Sequence, residues 1–239
     1  MLRHSHFLCG VSECRFFMRG SQRCECRGEF QPKKSTLGSS KLRLRSPLRR
    51  LEYPHPKMQH RNSEELEAAL DDIRCAPNEN GTVELIVRRP AENEREVIEE
   101  GELSVQEGLV GDSWRLRPSS SSAVGKAHPD MQLNLMNARS AAVIAVERER
   151  WPLAGDQFYV DFDLSADNLP PGTRLQIGTA TIAITDQPHL GCAKFRARFG
   201  DAALRFVNST VGKELNLRGI NARVVRPGVV RRGDPIVRI

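Results

Sequence analysis

From Val83 to Ile239 the apolar residues of this chain come in short bursts, and nearly every burst is closed by Gly, Pro, Asn or Asp. Val83, Leu85 and Val87 alternate with polar neighbours, and Thr181-Ile182-Ala183-Ile184 is bounded by Gly178 on one side and Pro188 on the other. Segments this short and this often punctuated read as strands, each with an apolar face that must be covered. The pattern predicts strands over 83–87, 96–98, 131–136, 157–163, 174–177, 180–185, 219–225 and 235–239. Many short strands with few helices and frequent turns imply a mostly β fold with α decorations, closed or nearly closed into a β-barrel. No internal repeat competes with that reading.

The helices expected are few. Asn62-Ser63-Glu64-Glu65 is a capping-box signature, followed by Leu66, Ala69, Leu70 and Ile73 at helical spacing, so a helix is expected over 63–74. Asn137 is placed to cap a second over 138–149, closed by Trp151-Pro152. Ala193–Phe199 and Asp201–Asn208 read as two short helices. The run 117–125, with four consecutive serines, reads as a flexible loop.

Charge and cysteines bound the function classes. The formal net charge is +6, but residues 1–57 hold 13 Lys and Arg against four Glu. The remainder is mildly acidic, so the basic balance is no argument for nucleic acid. No apolar run in the first 57 residues is long enough for a membrane span or a signal core. That segment is expected to be a basic, disordered tail, or an upstream artefact if translation begins at Met58. One domain is expected over 58–239, with its core at about 80–239. Cys9, Cys14, Cys24 and Cys26 crowd the tail without zinc-ribbon spacing, while Cys75 and Cys192 stand alone. This distribution suits a reducing, cytoplasmic setting.

Cys192 is the residue that carries chemistry. It lies in Pro188-His189-Leu190-Gly191-Cys192-Ala193-Lys194-Phe195, just after a predicted strand, with small neighbours that leave the sulfur approachable. His189 and Lys194 flank it as groups suited to a thiolate. Its chemistry has two natural uses, as a ligand for a soft metal or as a sulfur acceptor that becomes a persulfide.

The ordered set of Gly108-Leu109-Val110-Gly111-Asp112, Leu133-Asn134-Leu135-Met136-Asn137, Gly155-Asp156-Gln157-Phe158, Asp167-Asn168-Leu169-Pro170-Pro171-Gly172 and the Cys192 segment resembles a MOSC domain. This module is named after the C-terminal part of molybdenum cofactor sulfurases. The resemblance covers roughly residues 80–239 and implies a MOSC-type β-barrel that binds molybdenum cofactor (molybdopterin) or carries sulfur. It places Cys192 as metal ligand or carrier and His189 beside it. Lys194, Asn134, Asp112, Asn168 and Arg196 are the matching candidates for cofactor contacts, with Arg198 as a further source of charge. It also implies sulfur donor or acceptor proteins as partners. An oxidoreductase role would draw on separate electron-transfer proteins, since the chain has neither a ferredoxin-type cysteine cluster nor a Gly-rich dinucleotide fingerprint. Pyridoxal phosphate is not expected to bind, and neither nucleic acid nor membrane is an expected partner.

Two other classes compete. A Cys/His hydrolase would use Cys192 as nucleophile and His189 as base. A non-catalytic binding module would keep Cys192 packed as a structural residue.

Overall fold

The computed structural model describes residues 60–118 and 126–239. The expectations for residues 1–57, for Met58 and for most of the serine-rich loop lie outside them.

The strands run β1 (Asn80–Arg88), β2 (Glu96–Ile98), β3 (Glu100–Ser104), β4 (Gly108–Leu109), β5 (Leu133–Asn137), β6 (Phe158–Asp161), β7 (Arg174–Ile177), β8 (Ala180–Ile184), β9 (Ile220–Arg226), β10 (Gly228–Arg231) and β11 (Pro235–Arg238). Among the described residues, seven of them close on themselves in the order β1, β11, β7, β8, β9, β5, β6, with β6 returning to β1. The expected mostly β barrel with helical decorations is what the chain forms. Its neighbours pair antiparallel except β5 and β6, which are parallel. A parallel pair requires a crossover, and it is supplied by α3 (Ala138–Ala145) and a 3-10 segment over Arg148–Ala154.

Two apolar layers hold the fold. One fills the barrel, with Val83, Ile86, Leu135, Phe158, Ile182 and Val224 among its buried members. The other lies outside the wall, where Leu85, Val87 and Tyr159 meet Leu66, Phe195 and Phe199 of the helices. The sequence pattern put Val83, Leu85 and Val87 on one face. The structure instead turns Val83 inward and the other two outward, because a register shift against β6 falls between Val83 and Leu85. One extra residue at such a bulge reverses the faces that follow.

Other boundaries moved for local reasons. The helix expected over 63–74 is two, α1 (Ser63–Glu67) and α2 (Leu70–Arg74). They are separated by a turn in which Ala69 N–H bonds to Leu66 three residues back. The capping box itself is present, with Glu65 N–H donating to Asn62 and Asn62 N–H to Glu65. The helix expected to reach 149 stops at Ala145, where Val146 has φ 66°. The two helices expected after Cys192 are the halves of α4 (Ala193–Asn208), which meet at a break at Gly200, φ 89°. A short α5 (Thr210–Glu214) follows. Strands β3, β4 and β10 form a small second sheet that the sequence pattern did not reveal.

Candidate functional site

The site starts at the end of β1. Arg89 is 4% exposed and all of its polar groups are engaged. Its Nε and Nη2 clasp the Asp112 carboxylate at 2.8 and 2.9 Å, and its own backbone N–H donates to the same group. Its Nη1 donates to Gly155 O at 2.7 Å and to Asn134 Oδ1 at 3.0 Å. Asp112 also accepts from Trp114 N–H, which starts a 3-10 turn over Ser113–Leu116. A buried charge is tolerated only when paired and fully hydrogen-bonded, and this pair meets that condition.

Arginine has no acceptor, so the Asn134 oxygen must face Arg89 and its amide nitrogen must point the other way. That nitrogen donates to Asn221 Oδ1 at 2.6 Å and approaches His189 Nδ1 at 3.2 Å. Asn221 is fixed in turn, because its nitrogen donates to the Gln187 carbonyl. His189 Nδ1 lies between this Asn134 amide and Asn221 Oδ1, the latter at 3.4 Å, and its Nε2 faces Asp156 Oδ1 at 3.3 Å. Asp156 is shared with Arg218, whose Nη1 reaches Oδ2 at 2.7 Å. Burial and the nearby Arg218 guanidinium push His189 down from 6.5 to about 4, with Asp156 opposing them. His189 is thus neutral at physiological pH, and both its ring nitrogens belong to this network. Its ring is engaged by Asn134, Asn221 and Asp156, and the Cys192 thiol is not among these partners.

Cys192 is exposed and caps the start of α4 without a side-chain cap bond of its own. Its backbone is held by a clamp from the far end of the same helix. Asn208 accepts from Gly191 N–H at 2.9 Å and donates to Gly191 O at 3.1 Å. Gly191 packs so closely on Leu204 and Val207 that a Cβ there would lie within 3 Å of both. Arg218 lies over the Phe195 ring at 5.1 Å, tying the first turn of α4 to the buried network. The exposed thiol is at odds with the reading of a packed, structural cysteine.

Cys192 lines a cleft of about 620 Å³ together with Arg95, Arg117, Lys194, Arg198 and Glu92. Arg95 donates to the Pro152 and Glu94 carbonyls, Arg198 to the Leu153 carbonyl, and Arg117 to the Ser113 hydroxyl. None of these three pairs with a carboxylate among the described residues. Desolvation and neighbouring cations push Arg95 and Arg117 below the ordinary arginine value. An adjoining hollow of about 320 Å³ shares Arg117 and Pro118 with the cleft and reaches Arg89 and Asn134. A further groove of about 700 Å³ on the barrel flank holds no thiol, and its Arg223 lies 3.6 Å from Asp130.

The candidates from sequence therefore separate. Cys192 and Lys194 line the cleft, and Lys194 reaches Glu92 at 3.0 Å. Asp112, Asn134 and His189 meet in the buried network behind it. Asn168 is elsewhere: its side chain bonds the Asp163 carbonyl and receives Arg238. Arg196 is exposed and faces Asp201 at 3.8 Å. Sequence reasoning missed Arg89, Arg95, Arg117, Arg218 and Asn221. Arg89 follows a strand in Arg88-Arg89-Pro90, and no local pattern marks it as inward-facing.

Residues 124–237 match the family model described as the MOSC domain. The chain carries a MOSC domain. The match contains Asn134, His189, Cys192, Arg198 and Asn221, whereas Arg89, Glu92, Arg95, Asp112 and Arg117 precede it. Similar solved structures include the YUAD protein from Bacillus subtilis, at 17% identity and a TM-score of 0.49 over 66% of this chain and 94% of that one. YiiM from Escherichia coli is 22% identical with a TM-score of 0.44 over 66% of this chain and 69% of that one. YiiM from Geobacillus stearothermophilus is 18% identical with a TM-score of 0.39 over 66% and 75%. No curated protein matches the chain in sequence. No helix among the described residues is long and apolar enough to cross a membrane.

Proposed function

We propose that the MOSC domain binds molybdenum cofactor in the Cys192 cleft, with Cys192 as thiolate ligand or persulfide-bearing sulfur carrier. The observation that carries this reading is the exposed thiol in a cleft with three arginines that have no carboxylate partner among the described residues. Cations desolvated in that way favour an anionic ligand, and guanidinium groups match phosphate oxygens in geometry. The donor set also fits. One thiol, with no cluster of three or more His, Cys, Asp or Glu suited to a metal among the described residues, suits a group that brings its own metal and most of its ligands. When bound, the molybdenum centre would supply atom-transfer or redox chemistry that no side chain here provides.

The chain's own residues have separate tasks in this reading. Arg95, Arg117 and Arg198 hold the anionic end. Gly191 and Asn208 fix the backbone that presents Cys192. The network from Asp112 to Arg218 is the rigid floor beneath them, and neutral His189 is a positioning residue within it. Sulfur donor or acceptor proteins, or separate electron-transfer proteins, are the partners this role requires.

The test is native mass spectrometry of the full chain and its Cys192→Ala variant, expressed in a host that makes molybdenum cofactor. A molybdopterin mass, or one additional sulfur atom, in the wild type and not in the variant is expected. Bare protein in both would overturn the reading.

A further inference from the structure

Among the described residues, Glu92 is the one acidic residue lining a cleft to which Arg95, Arg117, Lys194 and Arg198 all contribute. It stands on the loop between β1 and β2, and its carboxylate reaches Lys194 at the start of α4, 102 positions along the chain, at 3.0 Å. Lys194, and more weakly Arg117, hold its carboxyl below the ordinary value. The pair is exposed, at 67% for Lys194 and 77% for Glu92. An exposed pair of this kind contributes little to stability, so it is easily exchanged. Both residues stand at the wall that carries Cys192, and Glu92 lies outside the stretch matched by the family model.

We infer that Glu92 is an intramolecular competitor for the ligand: its carboxylate holds Lys194 until an anionic group displaces it. The inference rests on the anion-binding reading above. A bound anion exchanges one carboxylate–ammonium contact for another and meets the three arginines that Glu92 leaves unpaired. The freed carboxylate returns to water at little cost, because it was barely desolvated. Glu92 thereby sets a threshold, since groups carrying more negative charge than one carboxylate win the exchange and weakly charged ones do not.

Calorimetric titration of the full chain with inorganic pyrophosphate tests this, using wild type, Glu92→Gln, Lys194→Gln and the double variant. Glu94→Gln serves as a control, since Glu94 is on the same loop but does not line the cleft. Glu92→Gln is expected to tighten binding roughly two- to fivefold, the range that an exposed ion pair spans. Lys194→Gln should weaken binding, and adding Glu92→Gln to it should recover less than in the wild-type background. Unchanged affinity in Glu92→Gln, or equal tightening in Glu94→Gln, overturns the inference while leaving the anion site standing. Failure of every variant to bind pyrophosphate overturns both.

Discussion

Arg89 and Asn134 are joined by a buried hydrogen bond of 3.0 Å, and this contact aims the Asn134 amide at His189. Because Arg89 only donates, Asn134 turns its oxygen to it and its amide to His189. His189 Nδ1 meets that N–H at 3.2 Å and Asn221 Oδ1 at 3.4 Å. Burial and the Arg218 guanidinium lower the affinity of His189 for a second proton, against the pull of Asp156. The cleft that holds Cys192 stands against a floor in which Arg89 is paired with Asp112 and Arg218 with Asp156.

A pH dependence of stability follows. His189 has a native value of about 4 against an ordinary 6.5, so between those values the unfolded chain binds a proton that the native chain refuses. Its contribution is complete above about 6.5, is lost as pH falls through the window, and is level again below about 4. The loss amounts to roughly 3 kcal/mol. Urea unfolding across this range checks it, with His189→Gln expected to flatten the slope. A wild-type imidazole that titrates near 6.5 by NMR would contradict the depressed value.

The Arg89–Asp112 pair yields a sharper comparison. Asp112→Asn leaves a guanidinium buried without its counter-charge and should cost on the order of 3–5 kcal/mol. Replacing both partners, as Arg89→Met with Asp112→Leu, should cost less than the single change, since no charge remains to be desolvated. Denaturant midpoints of the two variants decide the matter, and an equal or larger loss in the double variant would mean that the pair's role is packing.

The barrel was legible because its signal is local. Gly178, Pro188 and the alternation around Ile182 announce strand ends and faces within a few residues. Cys192 was legible for the same reason, through its small neighbours and the turn before it. The network was not. Arg89, Asp112, Asn134, His189 and Arg218 come from distant segments and meet only when the barrel closes. In sequence they look like ordinary polar residues beside turns. The bulge in β1 was hidden too, since Val83, Leu85 and Val87 alternate whether or not the backbone slips between them.

Gly219 should be less replaceable than Gly172 or Gly233. Its φ is 108°, and a Cβ would run into the Leu135 carbonyl. Gly172 and Gly233 share the left-handed conformation, φ 93° and 87°, with nothing within 4 Å of an added Cβ. Their alanine variants isolate the backbone cost, on the order of 1–3 kcal/mol. Gly219→Ala should exceed both, because β5 must also move. Thermal melts of the three variants side by side give the ranking, and parity among them would show that β5 yields to the added methyl.

Cys192 and Cys75 are both exposed, so a water-soluble alkylating reagent should modify each in the native protein without denaturant. Only Cys192 lines the cationic cleft. An anion held by Arg95, Arg117 and Arg198 would therefore shield Cys192 and leave Cys75 as reactive as before. Saturating pyrophosphate should slow alkylation of Cys192 at least threefold, by analogy with the modest coupling of exposed charges, with peptide mapping resolving each thiol. Equal slowing at both cysteines would assign the effect to reagent or ionic strength. Slowing at Cys192 that disappears in Arg198→Met would tie the shield to the arginines, since Arg198 reaches the cleft from the same helix that Cys192 caps.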